Sequence, residues 1–385
     1  MTTHAYGVRP AWAEVDLAAI RHNAAALAAT AAPAALCAVV KAGGYGHGAV
    51  EVARAALEGG ATWLAVALVE EGRELRAAGL AAPVLILSEP PPDAMEEVVA
   101  AGLTPTVYTR DGLEALRKAV AAAHRDEPFP LHVKVDTGMH RVGATGAVAA
   151  ALAIEAEQDH LLHLEGFWTH LAVSEDVGHG HNGLQLDRYR RALDDLAAAG
   201  VFPPIRHTAN SGGALWHEAA RYDMVRCGIA LYGLLPAPEG PPAPDLRPAM
   251  ALKARVSYVK EVDAGERLSY GLRYEVKERS VVATVPLGYA DGVTRSLSAN
   301  GGEVLIGGRR RPIAGTVTMD QILVDCGPGA DVAAGDEVVL LGRQGDETIG
   351  AWEWATATGT IAYEVVCGIS GRVPRIHLNA TWPVD

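Results

Sequence analysis

The chain has 385 residues, 49% hydrophobic and 21% charged, with a formal net charge of −13 at neutral pH. This excludes a disordered polymer, and the acidic excess disfavours nucleic acid and anionic membranes as partners. No run of 18 apolar residues occurs and Met1-Thr2-Thr3-His4-Ala5 is not a basic stretch leading into an apolar one, so a soluble, cytoplasmic protein is expected.

Strand candidates lie at residues 36–41, 63–68, 83–87, 105–108, 131–136, 164–170, 205–209 and 224–231. Between them, leucine, alanine and valine recur at helical spacing over 69–78, 93–101, 112–124, 146–157 and 184–199. Eight strand-then-helix units predict a (β/α)8 barrel over residues 12–245, with a doubly wound open sheet as the alternative. Pro236-Ala237-Pro238-Glu239-Gly240-Pro241-Pro242-Ala243-Pro244 can continue neither helix nor central strand and reads as a linker. Beyond it, short valine- and isoleucine-rich runs at 252–262, 280–286, 303–306, 313–324 and 337–341 predict a mainly β domain over 246–385. Residues 1–11 are candidates for an added edge strand of that domain. Cys37, Cys227, Cys326 and Cys367 stand singly, without metal-ligand spacing, and read as reduced, buried and inert. Gly178-His179-Gly180-His181 reads as a solvated loop, and no metal is expected.

Lys41 ends an apolar run and is followed at once by Ala42-Gly43-Gly44-Tyr45-Gly46-His47-Gly48. An ammonium at the end of a buried strand is poorly solvated, so its pKa should fall, and a neutral amine is the nucleophile that forms a Schiff base with a carbonyl such as pyridoxal phosphate. A lysine snorkelling to water is the simpler alternative. In a barrel, chemistry gathers where strands end. Arg141 follows the fifth strand, His170 ends the sixth, Asn210-Ser211 follow the seventh and Arg226 lies in the eighth. Arg226 requires a partner because it cannot shed its proton: a carboxylate such as Asp223 or Asp136, or a cofactor ring. His207-Thr208-Ala209-Asn210-Ser211-Gly212-Gly213 suits either a phosphate or an ordinary helix cap. Lys134 and Asp136 share a strand face and could form an internal salt bridge.

The decapeptide Val39–Gly48 resembles the pyridoxal-phosphate lysine motif of bacterial alanine racemases, with Gly43 where asparagine is usual. Met224-Val225-Arg226-Cys227-Gly228-Ile229-Ala230-Leu231-Tyr232-Gly233 and Gly359-Thr360-Ile361-Ala362-Tyr363-Glu364-Val365 resemble further motifs of the same family, and the likeness spans nearly the whole chain. It implies that Lys41 carries the cofactor and that Arg226 bonds the pyridine nitrogen, keeping it unprotonated. His170 would lie beside the ring. Tyr45, Asn210, Ser211, Tyr363 and the backbone at Gly228 and Ile229 would form the phosphate surroundings. Arg141 would contact the substrate carboxylate, and Lys134 is a candidate for the carbamylated lysine of some members; His140 stands where glycine is common.

Racemisation needs a second base opposite the lysine. Leu268-Ser269-Tyr270-Gly271 and Val285-Pro286-Leu287-Gly288-Tyr289-Ala290-Asp291-Gly292 have the family spacing, which makes Tyr270 that base and places Tyr289 at the entrance. In Thr318-Met319-Asp320-Gln321 the backbone at Met319 would bind substrate carboxylate and Asp320 would shape the entrance. These residues would serve the other subunit of a head-to-tail homodimer. The implied activity is interconversion of L- and D-alanine, supplying D-alanine for peptidoglycan. A broad-specificity racemase acting on serine or larger residues, a fold-type-III decarboxylase and a non-catalytic cofactor carrier are the alternatives. A decarboxylase would be expected to have glutamate in place of Arg226, and a carrier would have no second domain bearing Tyr270.

Overall fold

The computed structural model describes residues 8–383. They form two compact units: residues up to Ala18 with Tyr45–Gly48 and the chain from Pro248 make one, and Ala19–Gly44 with Ala49–Arg247 make the other.

The first strand among the described residues is β1 (Ala11–Asp16). The barrel unit contains β2 (Ala35–Val39), β3 (Trp63–Val66), β4 (Val84–Ile86), β5 (Thr106–Val107), β6 (Phe129–Lys134), β7 (Leu162–Trp168), β8 (Ile205–His207) and β9 (Met224–Cys227). They pair in two four-stranded parallel runs, β4-β3-β2-β9 and β5-β6-β7-β8. Two seams join the runs. At one, Thr104 N donates to Val84 O and Ile86 N to Thr104 O, each at 2.9 Å. At the other, Asp223 N donates to Arg206 O and Arg226 N to Ala209 O, both at 2.9 Å. Closure explains why the eight strands read as apolar runs: both faces are covered, as in Trp63–Val66, where all four residues are buried.

The other unit is mainly β. Its strands are β10 (Met250–Arg255), β11 (Tyr258–Val262), β12 (Arg267–Leu268), β13 (Tyr274–Glu275), β14 (Ser280–Val285), β15 (Glu303–Ile306), β16 (Arg309–Pro312), β17 (Ile322–Gly327), β18 (Glu337–Gln344), β19 (Glu347–Ile349) and β20 (Arg375–Leu378). The largest sheet runs β16-β15-β18-β10-β1-β20, with β19 paired to β18; β11-β14-β17 form a second sheet and β12-β13 a pair. β1 is antiparallel to β10 and parallel to β20.

Four expectations change. Residues 12–16 belong to the β unit rather than to the barrel, and their strand lies inside its sheet rather than at the edge; residues 1–7 are outside the described part. The run 252–262 is two strands, since the chain turns at Val256 and Ser257 and β11 joins a different sheet. Within 313–324 only the end is strand, and the loop before β17 carries Thr318, Met319 and Asp320. Cys37, Cys227 and Cys326 are buried, but Cys367, at the end of the helix Ala362–Cys367, is exposed. Among the described residues no helix is long and apolar enough to cross a membrane.

Candidate active site

Lys41 lies two residues past the end of β2 and leads into a backbone reversal of unusual hand. Ala42, Gly43, Gly44 and Tyr45 have φ of 53°, 60°, 63° and 52°, so the chain makes a left-handed turn, and Gly44 N donates to Val40 O at 2.8 Å. Each non-glycine residue held this way costs about 1–2 kcal/mol. A Cβ on Gly43 would meet no atom within 4 Å, so the demand there is on the dihedral and not on space. Glycine and asparagine are the residues that tolerate it, which accounts for the exchange at this position.

Arg226, in β9, is 2% exposed. One terminal nitrogen donates to His207 Nδ1 at 2.7 Å; the other donates to Thr169 O at 2.8 Å, Thr208 O at 3.1 Å and His170 Nδ1 at 3.2 Å. No carboxylate among the described residues pairs with it: Asp223 bonds Arg206 at 2.7 Å, and Asp136 Oδ1 accepts the amides of Gly138, Met139 and His140. Burial pulls the guanidinium down to about 10, which leaves it charged at neutral pH. Its Nε is buried and has no hydrogen-bond partner among the described residues. A donor of this kind fits the pyridine nitrogen of pyridoxal phosphate.

The hydrogen bonds around Arg226 fix the tautomers of two histidines. Burial, and then the guanidinium, hold His170 and His207 well below the ordinary range, so both are neutral. Arginine only donates, so His207 Nδ1 accepts and its Nε2 carries the proton toward His132 Nδ1, 2.9 Å away. His132 Nε2 then faces Glu165 Oε2 at 3.4 Å, an ion-pair distance without a hydrogen bond.

Two cations lie over the Trp168 ring. Arg226 Cζ lies 4.4 Å and Lys134 Nζ 4.2 Å from its centroid, and His207 stacks on it at 5.4 Å. Lys134, at the end of β6, is 3% exposed; burial, followed by Arg226 and Arg141, lowers its pKa to about 7. The salt bridge to Asp136 that the shared face allowed is absent, because Asp136 is turned into the loop after β6. That loop holds His140 at φ 56°, where its Nδ1 lies 3.1 Å from Asp136 Oδ2. Arg141 beside it is exposed, with no hydrogen bond or ion pair among the described residues.

Ser211 Oγ accepts the amides of Gly228 at 3.0 Å and Ala230 at 3.3 Å, while Ile229 opens a short 3₁₀ turn. The Asn210 side-chain amide ties its loop to the segment after β7: its oxygen accepts from Gly213 N and Ser174 Oγ, and its nitrogen donates to Leu171 O. His179 Nδ1 accepts the amide of His181 at 3.2 Å, and the His181 ring reaches Gly138 O, in the loop after β6, at 3.0 Å. Lys41, Lys134, Arg141 and Arg226 all act electrostatically on His170. So many cations at one barrel rim suit anionic ligands such as a phosphate and a carboxylate.

In the β unit, the rings of Tyr45 and Tyr363 lie 6.3 Å apart. Tyr270 is 74% exposed on a turn where Ser269, Gly271 and Leu272 all have positive φ. Thr316 pins that turn, donating from Oγ1 to Tyr270 O at 2.7 Å and accepting from Ser269 Oγ at 2.6 Å. Met319 is also exposed, and the amides of Tyr289 and Ala290 hold its loop through Thr318 O and Met319 O. Arg372 bonds Asp320 at 2.7 Å. Sequence reasoning missed Trp168, His132, His207 and Glu165 as parts of the site, because histidine and tryptophan inside apolar strands look like ordinary core.

Two family models match the chain: the alanine racemase N-terminal domain over residues 15–236 and the alanine racemase C-terminal domain over residues 249–377. The chain is 50% identical to an alanine racemase of Symbiobacterium thermophilum over 97% of its own length and 99% of that protein's. The crystal structure of alanine racemase from D-cycloserine producing Streptomyces lavendulae superposes with a TM-score of 0.91 at 41% identity, covering 97% of this chain and 98% of that one. Alanine racemase from Bartonella henselae with covalently bound pyridoxal phosphate superposes at 0.86 with 31% identity, covering 96% and 100%.

Proposed function

The chain belongs to the alanine racemase family and interconverts L- and D-alanine with pyridoxal phosphate, and we propose that Lys41 and Tyr270 are its two bases. When bound, the cofactor supplies an electron sink that acidifies the α C–H of the amino acid. The observation that carries the assignment is the placing of Lys41 between the cationic barrel rim and the left-handed turn.

Arg226 is the proposed partner of the pyridine nitrogen. Still protonated, it donates rather than accepts, and so leaves that nitrogen without a proton. Neutral His170 would pack beside the ring. Ser211, the Ile229 amide and the hydroxyls of Tyr45 and Tyr363 are the proposed phosphate donors, with Gly228, whose amide donates to Ser211, and Asn210 shaping the loop. Arg141 and the Met319 amide hold the substrate carboxylate; Tyr289 and Asp320 line the entrance. Lys41 Nζ then exchanges the α-proton on one face and Tyr270 Oη on the other. Lys134, neutral in part near pH 7, can add to carbon dioxide through Nζ and release a proton; the resulting carbamate would hold Arg141.

Tyr270 and Met319 are proposed to serve a second copy of the chain in a homodimer. An exposed phenol on a strained, pinned turn supports this, because such a conformation needs a reason outside its own packing. The setting proposed is cytoplasmic, with D-alanine passing to peptidoglycan. Mixing Lys41→Ala with Tyr270→Ala subunits should restore about a quarter of the sites, since half the dimers are mixed and each has one intact pair. No recovery after verified subunit exchange rejects the shared site.

A further inference from the structure

We propose that Glu71 is a positioning residue for Lys41, holding the lysine's direction by clamping the amide that follows it. The proposal rests on Lys41 as the cofactor lysine. Two bonds bracket that residue. On one side Val40 N donates to Ala65 O of β3 at 2.8 Å. On the other, Ala42 N donates to Glu71 Oε1 at 2.6 Å.

Glu71 lies in the first turn of the helix Val69–Ala77, and its second oxygen serves that helix, accepting Ala67 N at 2.8 Å and Leu68 N at 3.2 Å. The helix start has no other side-chain cap, since residue 68 is leucine. One carboxylate therefore joins the start of this helix to the turn after β2. The join matters most at Ala42, which alone among residues 42–44 has a side chain and so resists the left-handed region it occupies. Released, Ala42 gains freedom to leave that region, and the bond vectors that aim the Lys41 side chain rotate with it.

The geometry demands two acceptors. A glutamine would set its NH2 against either Ala42 N–H or the amides of Ala67 and Leu68, two donors facing each other. An aspartate keeps the charge and remains beside its own helix amides, but is one methylene short of Ala42.

The test compares Glu71→Asp, Glu71→Gln and Glu71→Gln with Leu68→Ser, all full-length and loaded with pyridoxal phosphate. Leu68 is 57% exposed, so serine there adds a helix cap without emptying the core. Glu71→Asp should leave Tm within about 2 °C, speed amide exchange across residues 42–44 about tenfold, and lower kcat about tenfold with KM for L-alanine little changed. Leu68→Ser should recover the Tm of Glu71→Gln but not its kcat. Unchanged exchange at 42–44, wild-type kcat in Glu71→Asp, or recovery of kcat by Leu68→Ser overturns the proposal and leaves Glu71 a helix cap. Borohydride reduction followed by peptide mass mapping separates the premise: cofactor trapped away from Lys41 refutes the lysine assignment, whatever the exchange data show.

Discussion

Replacing Lys134 by methionine should stabilise the protein at neutral pH and flatten its response to alkali. Folding lowers the Lys134 pKa from 10.5 to about 7. At about 1.4 kcal/mol per unit, keeping this ammonium in the fold below pH 7 costs roughly 5 kcal/mol. Between the two values the unfolded chain holds the proton and the folded chain does not, so stability rises with pH. The penalty is full below pH 7 and gone above 10.5. Methionine removes it but also removes the cation over Trp168, worth about 1–2 kcal/mol. The net gain at pH 6 is about 3 kcal/mol, and it shrinks toward pH 9 by about 1.4 kcal/mol per unit above pH 7. Urea denaturation of both proteins at pH 6 and 9 in carbonate-free buffer measures this, because titrations common to both cancel in the difference. Parallel pH dependences would refute the burial argument. Added bicarbonate should stabilise only the lysine form, with a carbamate carbon visible by NMR.

Arg226→Ala strips the donors from Thr169 O and Thr208 O; at about 1–3 kcal/mol for each buried acceptor left unpaired, urea stability should fall by at least about 2 kcal/mol and racemisation should nearly vanish. Gly288→Ala would bring a Cβ to 2.3 Å from Thr318 O and 2.4 Å from Met319 O, so the Met319 loop must move. Steady-state kinetics should then show KM for alanine rising about tenfold or more if that amide binds the substrate carboxylate, and Tm should fall because the clash is with the backbone oxygens that accept the Tyr289 and Ala290 amides. His140→Gly removes a left-handed strain along with the contact to Asp136, and should raise stability by about 0.5 kcal/mol in denaturant titration. A loss above about 1 kcal/mol would show that the contact outweighs the strain.

The barrel was legible because burial on both strand faces writes itself as unbroken apolar runs such as Trp63-Leu64-Ala65-Val66. The lysine and arginine positions were legible because cations interrupt such runs. β1 was not, since its partners β10 and β20 lie some 240 and 360 residues further along and nothing local distinguishes Ala11–Asp16 from a barrel strand. The Met319 loop disappeared into a strand reading because Ile313, Val317 and Ile322 continue the apolar pattern across it. Glu71 gave no signal at all: an acidic residue in the first turn of a helix is commonplace, and its second partner is a backbone amide, which has no letter in the sequence.

The place of β1 also governs how the molecule can be made or divided. Among the described residues β20 pairs only with β1, and β10 loses one neighbour without it, so a fragment beginning at Pro248 would carry an unpaired strand and a bared sheet edge. During synthesis the same dependence makes residues 11–16 wait until β10 and then β20 have emerged, while the barrel can close beforehand. Separate expression of the two units therefore calls for a permuted chain in which residues 8–18 are joined to the far terminus, rather than for a single cut in the proline linker.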